Sequence, residues 1–375
     1  MKRERITVRA DWRERCEAVG FTYHSVDGSY WDESACYVFT ASEIDELEAA
    51  TNELHRLCLE ACEHVVRERK FEAFAIPEPF WTFVADSWRE REPTLFGRFD
   101  LVYDGSTPPK LLEYNADTPT ALLEASVVQW YWMQDLRPRA DQFNSIHEKL
   151  IAQLGVMSAR LPVAQAHFAC ASESDEDFRN SEYVRDCATQ AGYATARVAI
   201  EQIGWDSVAK RFVDAADAPI TTLFKLYPWE WLMREVFGPN ILSRSCRWIE
   251  PSWKALLSNK TILAALWELN PGHPNLLPAY LVPGRIDGDH VRKPRLSREG
   301  ANVSLRRMTG AMSSGGSYGE EGYVYQALAP LREFDGNFPV LGSWIVGDTA
   351  CGIGIREDAT PITRNTSRFV PHYFE

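Results

Sequence analysis

Two short segments carry acidic, amide and guanidinium groups at every second position. The first contains Arg98 and Asp100, and the second contains Glu113 and Asn115. Side chains two residues apart in a β-strand lie on the same face of that strand. If the segments pair as a hairpin around residues 106–108, Asp100 lies opposite Glu113. The four polar groups then share one small surface.

This surface has the composition of a site for a hard metal ion and a phosphate group. Carboxylate and amide oxygens are ligands for Mg²⁺, which also keeps waters and substrate phosphates. A neighbouring arginine can hold a phosphate with a bidentate fork. The pattern therefore predicts metal-assisted phosphoryl transfer. The alternative is an ordinary hairpin with a solvated charged face, but the apolar residues around Glu113 favour a buried site.

The whole chain has the composition of a soluble globular enzyme. Its 375 residues predict one large domain or a few closely packed ones. The net charge of −13 argues against nucleic-acid and anionic-membrane partners. The N-terminal residues do not form a secretory signal, and no apolar run is long enough to span a membrane. The eight scattered cysteines predict free thiols and a cytoplasmic location.

Apolar periodicity predicts the elements that must position these groups. Thr40 and Glu43 form a capping box before a helix that runs to about residue 70. We expect further helices over residues 120–133, 141–159, 175–191 and 251–270, and strands over residues 167–171 and 193–200. The strand–helix–strand order indicates a parallel β-α-β unit. Strands with glycine turns follow residue 278, and residues 309–322 form a flexible loop.

Two lysines are candidates for contacts to phosphates. Lys293 ends a predicted strand before a basic loop of small residues, which could cradle phosphates with backbone N–H groups and cations. The loop has no Gly-Lys-Ser/Thr motif, and a solvated basic turn is the alternative. Lys260 precedes an apolar helix, where a surface lysine is also common.

Two further segments allow a structural or a functional interpretation. The strand over residues 322–328 could offer backbone groups to a purine or be an ordinary core strand. Lys225 lies in an aromatic stretch, which predicts partial burial. It is expected either to pair, with Glu230 as a candidate partner, or to contact a substrate.

One cluster has the residue types of a zinc site. His55, Cys58 and Cys62 share a face of the first long helix, whereas His64 points elsewhere. The same face carries apolar residues, and free cysteines are commonly buried. The favoured interpretation is a core helix with buried thiols.

Taken together, these motifs resemble the synthetase part of the glutathionylspermidine synthase family and its relatives among ATP-grasp-type acid–amine ligases. The resemblance spans roughly residues 95–375 and rests on residues 97–100, 113–117, 225–230, 260, 293–302, 326 and 354–356. Ordinary ATP-grasp enzymes place their nucleotide lysines before the metal ligands. Here the metal cluster comes first, as in this family.

The resemblance implies a mixed α/β (α+β) fold that is ATP-grasp-like in permuted order, with an added pre-ATP-grasp β-α-β domain. Residues 1–220 would form the helical and pre-ATP-grasp region with the metal-binding hairpin 97–117, and residues 221–375 the ATP-binding region. The two parts are expected to pack as one catalytic unit. The oligomeric state is not indicated.

The resemblance also implies the cofactors, ATP and Mg²⁺, and the residues that hold them. The metal ligands would be Asp100, Glu113 and Asn115, and Arg98 would hold the phosphoryl group in transfer. ATP would be bound by Lys260, Lys293, Gly300 and Gln326.

The remaining roles concern two small-molecule substrates, an acid and an amine. The acid, a glutathione-like peptide in the family, would contact Thr118, Thr120, Lys225 and Arg356. The amine, a polyamine, would be received by Glu176 and Asp177. ATP would convert the acid to an acyl phosphate, which the amine attacks to form an amide.

Two departures from the family leave alternatives open. The chain has no room for the amidase domain that some members carry upstream. Arg368 stands where a further carboxylate is expected, and an arginine there would repel a polyamine. The alternatives are a ligase of amino acids or peptides, an inactive nucleotide-binding protein, and a kinase that releases its phosphorylated product.

Overall fold

A computed structural model describes residues 1–25, 28–159, 165–298, 300–329, 331–364 and 366–375. Its strands, in chain order, are β1 (Lys2–Arg5), β2 (Ala35–Phe39), β3 (Phe96–Val102), β4 (Lys110–Asn115), β5 (Ala166–Cys170), β6 (Thr195–Ala199), β7 (Gly204–Asp206), β8 (Arg211–Val213), β9 (Thr222–Leu226), β10 (Arg247–Ile249), β11 (Ala279–Tyr280), β12 (His290–Pro294), β13 (Ser304–Arg307), β14 (Gly310–Ser313), β15 (Tyr323–Ala327), β16 (Phe338–Val346), β17 (Thr349–Asp358), β18 (Arg368–Val370) and β19 (His372–Phe374).

The α-helices are α1 (Trp12–Ala18), α2 (Ala41–Arg67), α3 (Trp81–Arg89), α4 (Gln129–Leu136), α5 (Ile146–Ser158), α6 (Asp175–Gln190), α7 (Trp229–Leu232), α8 (Lys254–Ser258) and α9 (Thr261–Leu269). A π-helical segment, Glu124–Val128, runs directly into α4. Short 3₁₀ turns lie at Lys70–Phe74, Glu78–Phe80, Ile200–Gln202 and Gly238–Ser243.

The predicted hairpin is one edge of a larger antiparallel sheet of order β18-β17-β16-β3-β4. Its register places Arg98 opposite Asn115 and Asp100 opposite Glu113, as the alternation of the sequence predicted. β16 and β17 are almost continuously buried, because helices cover one face of the sheet and the site covers part of the other. The charged hairpin therefore borders the protein interior, because the strands beside it are buried.

The predicted β-α-β unit is part of a parallel sheet of order β10-β9-β5-β6. β5 pairs in parallel with both β6 and β9, and α6 connects β5 to β6. Ser174 caps α6 by accepting a hydrogen bond from the backbone N–H of Asp177, at 3.1 Å. The mixed α/β architecture inferred from the resemblance is therefore confirmed.

A third sheet, antiparallel and of order β11-β15-β12-β13-β14, carries Lys293 and Gln326. This is the strand-rich region expected after residue 278. Glu299, in the predicted phosphate loop, lies outside the described residues. Two smaller sheets, β1-β2-β19 and β7-β8, complete the described strands.

Helix α2 packs its apolar face into the core behind the hairpin sheet. The predicted capping box is present, since Thr40 and Glu43 bond each other's backbone N–H groups. Cys58 and Cys62 are fully buried among apolar side chains. This burial among apolar side chains supports the core-helix interpretation.

The helix expected over residues 251–270 is divided into α8 and α9. Asn259 explains the break, because its side chain donates to the carbonyl of Phe74 at 2.7 Å and accepts from the backbone of Thr261 at 2.9 Å. Lys260 donates its backbone N–H to the carbonyl of Arg295 at 2.9 Å. The break therefore attaches Lys260 to the loop that follows β12.

The helix expected over residues 120–133 begins at Leu122 and runs to Leu136, with the π-helical segment inside it. Ala121 has a φ of 64°, which is in the left-handed region and ends the extended chain before the helix. Helix α3 was not predicted from the sequence.

Two sheets contain strands from both sides of residue 220. β3 and β4 pair into the sheet of β16, β17 and β18, and β9 and β10 pair into the sheet of β5. Residue 220 is thus not a boundary between sheets, which agrees with close packing of the two proposed regions. Among the described helices, none combines the length and apolar character needed to cross a bilayer.

Candidate functional site

The paired hairpin strands bring together the three predicted metal ligands. Asn115 Nδ2 lies 3.2 Å from Asp100 Oδ2 and 3.3 Å from Glu113 Oε1, so its amide bridges the two carboxylates. Turned about its Cβ–Cγ bond, the amide would present its oxygen to the same point. Two carboxylate oxygens and one amide oxygen then converge, which is a donor set suited to Mg²⁺.

Arg98 lies beside this donor set and is 8% exposed. Its Nε donates to Asp100 Oδ1 at 2.8 Å, and its Nη1 donates to the carbonyl of Thr120 at 2.6 Å. Its side chain crosses β16 at Gly342, where a Cβ atom would lie 2.7 Å from Arg98 Cδ. A residue without a side chain at position 342 is therefore what allows the guanidinium to reach Asp100.

The surrounding charges give the two carboxyl groups different proton affinities. Burial would raise the pKa of Glu113, but Lys260 and Lys293 outweigh it and lower that pKa to about 2. Burial raises the pKa of Asp100; Arg98 opposes this rise and Glu113 adds to it. A divalent cation would relieve the repulsion between the two carboxylates, so the residues present fit a metal ion.

Two lysines reach the same site from other elements. Lys260 Nζ lies 3.0 Å from Glu113 Oε2 and donates to the carbonyl of Ser297 at 2.8 Å. Lys293 Nζ donates to the carbonyl of Leu112 at 2.8 Å. Burial lowers the pKa of Lys293 to about 8. An anionic ligand beside these ammonium groups would favour their charged forms.

Gln326 lies behind Lys293 rather than on the cleft surface. Its Oε1 accepts from Lys293 Nζ at 2.8 Å, and its Nε2 donates to the carbonyl of Leu111 at 2.9 Å. Because the side chain is 1% exposed and bonded at both ends, it orients Lys293. The side chain of Gln326 is thus occupied by Lys293 and the carbonyl of Leu111.

The lysines and carboxylates line one end of a cleft with about 740 Å³ of empty volume, part of it open to solvent. The other end is an apolar cluster of Val291, Val303, Leu305, Leu328 and Ile362. Gly300 lies at the rim with a φ of +67°, and a Cβ atom there would lie 2.4 Å from the carbonyl oxygen of Thr363. The cleft thus has a charged end for phosphates and an apolar end for a flat ring.

A smaller cavity of about 290 Å³ shares Asp100 and Thr363 with this cleft. Arg98 and Arg356 line it. Arg356 also donates to the carbonyl oxygen of Arg364. The structure therefore brings Arg356 to the same cavity as Arg98.

Thr118 and Thr120 contact arginines in different ways. Thr118 Oγ1 accepts from Arg298 Nη1 at 2.8 Å, whereas Thr120 contributes its carbonyl to Arg98. Arg298 also lies 3.4 Å from Glu230. Glu230 is therefore paired with Arg298 and is not in an ion pair with Lys225.

Lys225 is fully buried and paired, as one of its two predicted interpretations required, but its partner is Asp117 and not Glu230. Its Nζ lies 2.6 Å from Asp117 Oδ1, in an ion pair whose side chains are 0% and 1% exposed. The other carboxylate oxygen accepts from the backbone N–H of Trp229 at 2.8 Å. Lys225 also donates to the carbonyl of Tyr227 at 3.0 Å, and these contacts favour the structural interpretation.

The two acidic residues expected to receive the amine are separated by their helical positions. Glu176 raises the pKa values of Glu124, Tyr23 and Tyr30, so it faces these groups. Asp177 faces β5, where it raises the pKa of Cys170. Of the two, Glu176 is the one whose charge affects Glu124.

Arg368 does not present an unbalanced positive charge. Its Nη1 lies 2.9 Å from Asp32 Oδ2 and its Nη2 lies 2.9 Å from Glu357 Oε1. The two carboxylates therefore balance the charge of the Arg368 guanidinium. The surroundings of Arg368 do not support the expected repulsion of a polyamine.

Sequence reasoning missed several residues that build the site. Arg298, Asp117 and Glu124 belong to this group, as do the apolar residues of the cleft. Asp117 stands in the quoted Glu-Tyr-Asn-Ala-Asp segment, but its partner is 108 positions away and only the fold reveals it. Glu124 follows Thr120 by one helical turn in an otherwise apolar run. A carboxylate inside an apolar run is the pattern that could have identified Glu124 from the sequence.

Comparison with known sequences gives one family over nearly the whole chain. Residues 3–375 match the family described as Glutathionylspermidine synthase preATP-grasp. A Haemophilus influenzae protein provisionally named an acid–amine ligase is 44% identical over 98% of this chain and 97% of its own length.

More distant relatives are longer proteins. The trypanothione synthetase of Crithidia fasciculata is 27% identical over 84% of this chain. The bifunctional glutathionylspermidine synthetase/amidase of Escherichia coli is 26% identical over 89% of this chain. The chain spans 53% and 58% of the lengths of these two relatives.

Among solved structures, a Methylobacillus flagellatus protein provisionally named a gamma-glutamylcysteine synthetase aligns with a TM-score of 0.50. The alignment covers 87% of this chain and 88% of the other at 8% identity. At that identity the likeness shows a shared fold.

Proposed function

Because the chain belongs to the Glutathionylspermidine synthase preATP-grasp family, we propose that it is an ATP-dependent acid–amine ligase that forms an amide through an acyl phosphate. The observation that carries this proposal is the single cleft that joins Asp100 and Glu113 to Lys260 and Lys293. A metal–ATP complex needs this combination of carboxylates and cations, and an apolar wall beside it suits the base.

Different residues would have different roles in phosphoryl transfer. Asp100, Glu113 and Asn115 would hold Mg²⁺, which when bound offsets charge on the ATP phosphates. Lys260 and Lys293, which reach the same end of the cleft from other elements, would contact those phosphates. Arg98 would stabilise the phosphoryl group as it passes to the acid. Such catalysis depends on positioning and electrostatics, so no side-chain nucleophile is required.

We assign the acid to the side of the hairpin where Arg98 and Arg356 line the smaller cavity. Two guanidinium groups suit a carboxylate that becomes an acyl phosphate. Thr118 and Arg298 would hold a more distant polar group of the same acid. A glutathione-like peptide and a polyamine are the substrates suggested by the names of the relatives.

The proposal is tested by incubating the protein with ATP, Mg²⁺, glutathione and spermidine, each omitted in turn. ADP release that requires both acid and amine, with an amide detected by mass spectrometry, supports the ligase. ADP release with a stable phosphorylated product would indicate a kinase. Absence of nucleotide binding would overturn the assignment of the cleft.

The double variant Asp100→Asn, Glu113→Gln tests the metal set. It should lower turnover by at least about 100-fold, because both charged metal ligands are lost. Asp104→Asn is the matched control, since Asp104 lies in the loop of the same hairpin and caps Ser106 and Thr107. Near-normal turnover in the double variant would show that the metal assignment is wrong.

A further inference from the structure

A third cavity lies beside the π-helical segment, and the proposed reaction does not use it. Residues of α4, α5, α6 and that segment enclose about 870 Å³ of empty volume, part of it open to solvent. In the part of the chain that is described, no residue lines both this cavity and either of the two cavities above. We call it the side cavity, and its lining includes Trp130, Asn144, Glu148 and Asp186. Its volume suits a small organic molecule.

One helical stretch separates the side cavity from the proposed place of the acid. Ala121 lines the smaller cavity, and Ala125 faces the same way, since a Cβ atom on Gly354 of that cavity would be 3.3 Å from Ala125 Cβ. Leu123 and Ser126 line the side cavity instead. The two cavities therefore lie on different faces of one stretch of chain. A ligand in the side cavity would leave the place of the acid free.

The side chain of Asn144 carries an acceptor atom without a partner at the wall of the side cavity. Its Nδ2 donates to the carbonyl of Ser126 at 3.1 Å and to Gln142 Oε1 at 3.0 Å. Because a carbonyl only accepts, the nitrogen must be the atom that faces Ser126. Asn144 Oδ1 is then left buried, with no hydrogen-bond partner among the described residues. An N–H group of a ligand would supply the missing donor.

The rest of the polar lining carries negative charge. Glu148 of α5 and Asp186 of α6 both line the side cavity, and both are exposed to a ligand that arrives from solvent. His147 is held by the hydroxyl of Tyr183, which lies 2.9 Å from its Nδ1. Among the described lining residues there is no lysine or arginine. The lining would therefore repel an anion and attract a cation.

Aromatic and apolar side chains form the other walls. Trp130 and Tyr131 line the side cavity, and Tyr131 is 54% exposed. The faces of such rings attract cations. Val19 and Val127 supply apolar surface for a hydrocarbon chain. A bare metal ion would use neither feature, so the lining fits an organic cation better.

We propose that the side cavity is a binding site for an organic ammonium ion with a hydrocarbon body. An N–H group of the ligand would donate to Asn144 Oδ1, and its positive charge would face Glu148 and Asp186. Its hydrocarbon chain would lie along the aromatic and apolar walls. The site does not depend on the ligase function, because none of these residues has a role in the proposed reaction.

Fluorine NMR tests the proposal without ATP or an acid. We would place 5-fluorotryptophan at position 130 only, so that the signal reports on the side cavity and not on the other tryptophans. The probe is spermidine, and the matched neutral ligand is 1,8-octanediol, a chain of similar length without charge. We expect the signal to shift with spermidine until it saturates, and to shift little with the diol.

The double variant Glu148→Gln, Asp186→Asn should weaken spermidine binding by about 10-fold, because two exposed carboxylates that each contribute modestly are lost. Glu53→Gln, Glu60→Gln is the matched control. It removes the same amount of charge from the surface of α2, where both glutamates contact Arg56. The control should bind spermidine as the wild-type chain does.

Three results would overturn the proposal. The first is the absence of a saturable shift in the wild-type chain, and the second is an equal shift with the diol. The third is an affinity of Glu148→Gln, Asp186→Asn that does not fall below that of the control, which would show attraction by the net charge of −13 alone. A failed ligase assay would leave these measurements unchanged, so failure of the site and failure of the proposed function are distinguishable.

Discussion

At the scale of single residues, the half-buried Glu113 and the buried Glu124 have opposite proton affinities because of their neighbours. Lys260 and Lys293 lower the pKa of Glu113 to about 2, despite its burial. Burial and Glu176 raise the pKa of Glu124 to about 7. The first is therefore a permanent anion suited to a metal, and the second can exchange a proton. Residue type alone does not distinguish them; the local charges do.

Arg98 gives a residue-scale prediction. The variant Arg98→Lys keeps the positive charge. Unlike the guanidinium, the lysine side chain cannot donate hydrogen bonds to Asp100 and to the carbonyl of Thr120 at the same time. We expect kcat to fall about 100-fold while KM for ATP changes little, since the contact matters most in the transition state. Steady-state ADP release with glutathione and spermidine measures both constants.

The control for Arg98→Lys is Arg244→Lys, because Arg244 also contacts two carboxylates, those of Asp86 and Glu90, on the surface. This control should leave kcat unchanged. A kcat for Arg98→Lys within a few-fold of the wild-type value would show that Arg98 does not stabilise the transition state.

At the scale of elements, two features could be predicted from the sequence: the alternation of polar residues in the hairpin strands and the N-terminal cap of a helix. The period of two in residues 97–115 predicted the hairpin and its register, and Thr40 predicted the start of α2. Local patterns report local structure well. They do not report the break at Asn259, because its cause is a hydrogen bond to Phe74 far along the chain. Likewise, the partner of Lys225 depends on how β9 meets the end of β4.

The buried Asp117–Lys225 pair gives an element-scale prediction. Removing one partner leaves an uncompensated charge in the interior, so Lys225→Met should destabilise the protein by about 3–5 kcal/mol. Adding Asp117→Asn should recover part of the loss, since the remaining charge is then removed. Urea unfolding of the single and double variants measures this.

The same variant separates the two interpretations of Lys225. A structural role predicts lower stability with an unchanged KM for the acid substrate. Normal stability combined with a raised KM would instead show that Lys225 contacts substrate.

At the scale of the whole molecule, the sheets join segments that are far apart in sequence. β3 pairs with both β4 and β16, and β17 lies next to β16. Asp100, Glu113 and Asn115 of the hairpin and Arg356 of β17 thus belong to one sheet. The family to which the chain belongs explains this order of strands. Physical reasoning about one sequence did not give the order by itself; it came from the resemblance of the motifs to the family.

His372 gives a prediction for the stability of the whole molecule. It is 0% exposed, and burial lowers its pKa to about 3. The unfolded chain therefore binds a proton near its ordinary pKa of about 6.5, whereas the folded chain does not. Its contribution to stability is complete above that pH and is lost as the pH falls toward 3. The slope is about 1.4 kcal/mol per pH unit.

His372→Asn should reduce this slope, because asparagine does not titrate and its amide still reaches the side-chain oxygen of Gln129. Denaturant unfolding between about pH 4 and 7 measures the difference. Parallel pH dependences for the variant and the wild-type chain would show that His372 is not responsible.

The pairing of β3 with β16 also has a consequence for synthesis on the ribosome. β3 leaves the ribosome long before β16, by roughly 10–50 s at typical translation rates. During that interval β3 has β4 beside it, but the edge of β3 that later pairs with β16 has no partner, and Arg98 and Asp100 lack the cover of Trp344 and Gly342. The nascent chain is then most open to chaperones and to wrong strand pairing, and nucleotide binding must wait until the last third of the chain has emerged.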